Sequence, residues 1–159
     1  MAYADLQLPS PGSATYADIW NDAITRNNHT YGERGDARFR ESNAPAIEAH
    51  FVVWSRRRSA VLSILDTATG CTVKMVVPQA HATVKLCPMR VAIYEGLAVR
   101  TLDGGRACFL ELSAAASGNP TGAAAYASYD AASHTVRTGM IIDHKAVDGC
   151  SLAIPLGRR

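Results

Sequence analysis

The residues of this 159-residue chain whose types and spacing could do chemistry lie near its end, in "MIIDHKAVDG". A thiol with a pKa near ~8.5 is mostly protonated at neutral pH, so acyl transfer to or from it needs a base that takes the proton as sulfur attacks. His144 is the candidate base. Asp148, four residues on, can fold back onto an arginine or onto backbone donors and fix the loop that aims the ring. Asp143 opens the same turn, and Gly149 permits a backbone conformation barred to other residues. The competing reading of the same stretch is a surface turn, because Asp, Lys and Gly are all common turn formers.

The elements that must carry these residues are mostly strands. Residues 1–15 mix Pro, Ser, Gly and Ala without a hydrophobic period, as a linker or an arm does, and residues 16–159 form a single domain. From Tyr16, Ile19, Trp20, Ala23 and Ile24 share one face of a short helix, with Thr15 as its cap. After Pro45 the texture turns β-branched and aromatic in "IEAHFVVWS", "AVLSIL" and "TVKMVV", the second of which also suits a helical turn. "DTATG" and "LDGG" have turn composition, which predicts hairpins or strand pairs over residues 60–77 and 90–112. Residues 113–128 are predicted to be a long small-residue connection. "HTVRTGMIID" is predicted to be a strand entering a covered sheet. Val52, Trp54, Met75, Val77, Ile93, Leu110, Met140 and Ile142 are the expected core.

The stretch as a whole resembles the catalytic-domain signature of the dihydrolipoyl acyltransferases, the core components of 2-oxo-acid dehydrogenase complexes, and more distantly chloramphenicol acetyltransferase. That family carries D-H-R-x-V/I-D-G after an apolar strand. Here Asp143, His144, Val147, Asp148 and Gly149 agree, and Lys145 replaces the arginine. With "RACFLELSAAASG" and "YDAASHTVRTGMII" upstream, the resemblance covers roughly residues 106 to 150. It implies an α+β fold with a mainly β, open mixed sheet and few helices, in a shortened chloramphenicol acetyltransferase-like form. It also implies a homotrimer with sites at subunit boundaries, and lipoyl groups and coenzyme A as substrates with no covalent cofactor in this segment. The family's S/T-N-x-G segment, which supplies an oxyanion-stabilising hydroxyl, is not found; Ser133 or Ser113 would have to replace it.

With that hydroxyl missing, the resemblance points first to a structural relative, the dihydrolipoamide dehydrogenase-binding protein (protein X). Its partners would be its own copies, the acyltransferase core and, through regions beyond this segment, dihydrolipoamide dehydrogenase. Its address would be the mitochondrial matrix in a eukaryote and the cytoplasm otherwise. An active thiol acyltransferase using His144 is the alternative. An unrelated self-assembling β-sandwich of coat-protein type is the third reading.

Composition excludes some classes and leaves others. Sixteen basic against fourteen acidic residues give no bulk charge for a nucleic-acid or acidic-lipid partner. Arg56, Arg57 and Arg58 concentrate positive charge and are expected to form a solvated turn. No apolar run reaches the ~18 residues that span a bilayer. Cys71, Cys87, Cys108 and Cys150 show no paired C-x-x-C spacing, so no metal site is expected and reduced core thiols are.

Overall fold

The computed structural model describes residues 19–32, 45–112 and 122–157. One short helix, α1 (Asn21–Asn27), continues as a π turn over Asn28–Gly32. Then follow β1 (Ala46–Ser55), β2 (Arg58–Asp66), β3 (Thr72–Val77), a 3-10 turn (Pro78–Ala80), β4 (Ala82–Glu95) and β5 (Ala98–Leu112). After residue 122 come β6 (Ala123–Asp130), β7 (Thr135–Ile142), β8 (Lys145–Ala146) and β9 (Leu152–Pro155). The mainly β character holds. The single mixed sheet does not: β1 to β5 form one sheet and β6 to β9 another, and every strand pair in both is antiparallel.

β4 organises the first sheet, since it pairs with β2, β3 and β5. The expected β2–β3 hairpin is absent, because both strands run along the same side of β4. Ile64 faces Met89 and Thr72 faces Leu86, so two residues of β4 span a gap that seven residues, 65–71, cross on the other strand. β2 and β3 thus act as one long strand with an excursion in it. The turn-like "DTATG" makes that excursion, held by a hydrogen bond from the Gly70 N–H to Thr67 Oγ1 at 3.0 Å. Pro88, which has no N–H for a ladder, falls in the gap. Lys85, on β4, joins Asp66 of β2 to Glu111 of β5. Burial pushes its ammonium pKa down, but the two carboxylates outweigh that and the net shift is upward.

"LDGG" is not a hairpin turn either. The β4–β5 turn is Gly96-Leu97, between the paired Glu95 and Ala98, while Asp103 to Gly105 form a bulge inside β5. Asp103 Oδ1 accepts the Gly105 N–H at 2.8 Å, and Gly105 has φ 74°, which a glycine adopts without the steric cost of a Cβ. In the second sheet the strand-with-excursion pattern recurs. Ile141 faces Ala146 and Thr138 faces Leu152, so β8 and β9 share one side of β7 with residues 147–151 looped out between them. β6 occupies the other side, with odd residues turned inward; the later part of the expected connection is therefore an edge strand.

The two sheets share their cores. One cluster unites Leu62, Ile64, Met89, Val91 and Ile93 with Val136, Ile154 and Leu156, and a second joins Val77, Ala82 and Val84 to Met140, Ile142 and Cys150. On the face of the first sheet opposite to Leu62 and Ile64, Trp20 and Ile24 cover Ile47, Val61 and Leu65, with Ile19 and Ala23 beside them, which is the helical face read from the sequence. Thr15 and residues 1–15 lie outside the described residues. Of the expected core, Met75 is exposed, because β3 is an edge strand whose outer side no described strand covers, and Trp54 and Leu110 are partly buried. Trp54 stacks on Tyr129 with centroids 5.0 Å apart, closing β1 against β6.

The cysteines are not reduced thiols. Cys71 is bonded to Cys87 and Cys108 to Cys150. The first pins the end of the 65–71 excursion to β4, and the second ties the 147–151 excursion to β5 in the other sheet.

Candidate functional site

"DHKAVDG" is a hairpin turn followed by the start of an excursion. Ile142 pairs with Lys145, leaving Asp143 and His144 as the two central residues, at φ 49° and 64°. Positive φ at both places is the signature of a type I′ turn, whose twist matches that of the flanking strands. Asp and His are among the few non-glycine residues that enter this region readily. The Asp143 N–H donates to the Gly122 carbonyl at 2.8 Å, fixing the turn against the start of β6. Val147 N–H then donates to Met140 O at 2.9 Å, and Cys150 N–H to Val147 O at 3.2 Å. Gly149, at φ 77°, adopts the left-handed conformation expected of it.

His144 and Asp148 are both exposed, and among the described residues neither side chain makes a hydrogen bond or ion pair. The turn does not bring the two into a base and its orienting partner. Ser133 bonds through its hydroxyl to Thr135 Oγ1 at 2.8 Å in the β6–β7 turn, and Ser113 lies outside the described residues. Asp130 accepts N–H groups from Ala132 and Ser133 in that same turn. The Ser133 side chain, more than these backbone groups, holds its carboxyl below the usual carboxylate range.

Beside the motif is a groove of about 430 Å³ lined by Lys74, Met75, Ile142, Lys145, Ala146, Val147 and Asp148. It runs between the β3 edge and the 145–148 segment. Its floor is apolar, two ammonium groups and one carboxylate line it, and among the described residues that line it there is no hydroxyl, thiol or imidazole. A cleft of about 440 Å³ lies elsewhere, between α1 and the 65–71 excursion, lined by Trp20, Asn27, Thr67, Pro88 and Arg90 among others.

The feature that sequence reasoning missed is the β3 edge. β3 pairs with β4 alone, and among the described residues its other edge carries no strand. Val73 and Val76 are 63% and 61% exposed there. The signal in the sequence was the unbroken "TVKMVV", apolar at positions of both parity, which suits a strand covered on both faces and is instead uncovered.

Comparison of the chain with protein-family models, with curated proteins and with solved structures finds no match.

Proposed function

We propose that this chain is a structural subunit that works by assembling with further copies of itself and performs no chemistry of its own. The observation that carries this reading is the β3 edge: a row of backbone donors and acceptors that no strand among the described residues pairs, flanked by exposed valines, with Lys74 as the only charge in the strand. An edge of that composition pairs with another chain unless something covers it. The turn geometry of Asp143 and His144 supports the non-catalytic half, because it gives both residues a local folding role.

A structural relative of the acyltransferase core and a coat-like sandwich share this mode of action. The two disulfides favour the second, since such bonds persist in oxidising surroundings and are rare where thiols are kept reduced. The trimer implied by the resemblance remains the expected copy number. Sedimentation equilibrium of the whole chain is expected to give a multiple of the 17.0 kDa mass, reduced to the monomer by Val76→Lys. A wild-type monomer at micromolar concentration would overturn the reading. So would acetyl transfer from acetyl-coenzyme A to dihydrolipoamide that is lost in His144→Ala.

A further inference from the structure

At the end of β4 opposite to β3, two hairpin tips stand side by side. Arg56 and Arg57 form the β1–β2 turn and Gly96-Leu97 the β4–β5 turn, joined by a 2.8 Å hydrogen bond from the Gly96 N–H to the Arg57 carbonyl. Arg58 faces Glu95 across the strand pair. Three guanidinium groups against one carboxylate make this the concentrated charge that the composition hides, and all four residues are exposed. The arginine run is the solvated turn the sequence predicts, but the neighbouring tip is apolar.

Leu97 is 104% exposed, as much as an isolated residue. The register extends the apolar surface: Val53 faces Ser59, Ser59 faces Tyr94 and Tyr94 faces Val99, so these four share one face of the sheet just behind the tips. Val53 is 71% and Val99 45% exposed. A projecting leucine with a shoulder of valines, flanked by arginines on the adjoining turn, complements an anionic lipid surface. The aliphatic groups enter the boundary between headgroups and acyl chains, and the guanidinium groups meet the phosphates. A nucleic acid would match the arginines, but it offers nothing to a fully exposed leucine.

We infer that this tip is a docking surface for an anionic membrane, with Leu97 inserted and Arg56, Arg57 and Arg58 on the headgroups. The tip lies about 35 Å along β4 from the β3 edge, so lipid docking and assembly use separate surfaces.

The test is co-sedimentation of the whole chain with vesicles of phosphatidylcholine alone and of phosphatidylcholine mixed with phosphatidylserine. Binding is expected only to the mixed vesicles and to weaken with salt. Replacing both Arg56 and Arg57 by Ser should weaken it about 25-fold, on the basis of roughly five-fold per arginine. Leu97→Ser should weaken it about ten-fold or more while keeping the salt dependence. These positions are exposed, and an unchanged unfolding midpoint for each variant would show that the fold is intact. Absence of binding to the mixed vesicles, equal binding to neutral vesicles, or full affinity in Leu97→Ser would each overturn the proposal. Displacement from the vesicles by a single-stranded oligonucleotide at lower concentration than the lipid would assign the tip to nucleic acid instead. Loss of self-assembly in Val76→Lys leaves these outcomes unaffected, so the two readings fail independently.

Discussion

The guanidinium of Arg90 stands 4.3 Å from the centroid of the Trp20 ring, so a cation on β4 clamps the residue just before α1. Arg90 also donates to the Ile19 carbonyl and to both carboxylate oxygens of Asp22, at 3.1 and 3.5 Å. The hydrogen bond from Arg90 is the main reason that the Asp22 carboxyl is lowered from 3.8 to about 2. A carboxyl with a depressed folded pKa contributes stability that is complete above its unfolded value and disappears as pH falls through the folded one. The helix is therefore expected to loosen between pH 4 and pH 2, seen as a change in tryptophan emission. Asp22 is half exposed, so screening keeps the effect modest. An Arg90→Met variant should lose the acid transition in that window and titrate Asp22 near its ordinary pKa.

The two tryptophans should respond unequally to removal of the indole nitrogen. Trp20 Nε1–H donates to Ser63 Oγ at 2.7 Å in a buried setting, so Trp20→Phe is expected to cost about 1–3 kcal/mol. Trp54 Nε1 is buried without an acceptor among the described residues. Trp54→Phe removes a donor that is already unsatisfied and keeps a ring to stack on Tyr129; it should cost less than about 1 kcal/mol. Urea midpoints of the two variants decide the matter, and the reverse order would refute the assignment.

His144 can be tested as a turn residue by replacing it with the residue its backbone prefers. His144→Gly relieves a left-handed conformation that costs an ordinary residue roughly 1–2 kcal/mol, offset in part by glycine's greater unfolded-state entropy. A net gain of roughly 0.5–1 kcal/mol in thermal or urea unfolding is expected. A loss of stability would mean that the imidazole makes a contact on which the fold depends.

Loop length ranks the disulfides. Cys108 and Cys150 are 42 residues apart and Cys71 and Cys87 are 16 apart. Closing the longer loop restricts the unfolded chain more, so replacing Cys108 and Cys150 by Ser should cost about 4 kcal/mol, against about 3 for the other pair. Equal costs would indicate that the native contacts around the bonds matter more than the chain between them.

Gly139 has no room for a side chain. It faces Tyr126 across β6–β7, and a Cβ there would lie 2.5 Å from the phenol oxygen and 2.7 Å from the ring carbon bearing it. The ring covers the bare backbone, as aromatic residues do for strand glycines. Gly139→Ala should displace the ring and lower stability by about 1–2 kcal/mol, whereas pairing it with Tyr126→Ser should recover part of the loss.

What the sequence made legible follows from which physical signals are local. The strand runs of β1, β2 and β7 could be read from their β-branched and apolar composition, and the apolar face Ile19, Trp20, Ala23, Ile24 from its helical spacing. The pairing of β2 and β3 could not. "DTATG" has the composition of a hairpin turn, and only the long β4 alongside makes it an excursion. In the same way "LDGG" forms a bulge because Gly96-Leu97, earlier in the chain, already makes the turn. The disulfides were invisible because their partners lie on different strands and share no short spacing. For the motif, the turn chemistry of Asp and Gly was present from the start. That His144 would occupy the second left-handed position depended on Ile142 pairing with Lys145, which composition does not report.

The offset between Cys87 and Cys108 bears on how the chain oxidises. Four cysteines permit three pairings, and the most accessible error would join these two, which meet early if the β4–β5 hairpin forms first. In that hairpin Cys87 faces Ala107 and Cys108 faces Leu86, so the two thiols are one position out of step on adjoining strands. One step of a pleat turns a side chain to the opposite face, and the sulfurs belong to different core clusters. The hairpin thus acts as a proofreader. Once its register is set, each thiol is shielded from the other by the sheet itself, and oxidative refolding should not accumulate the isomer that joins these two.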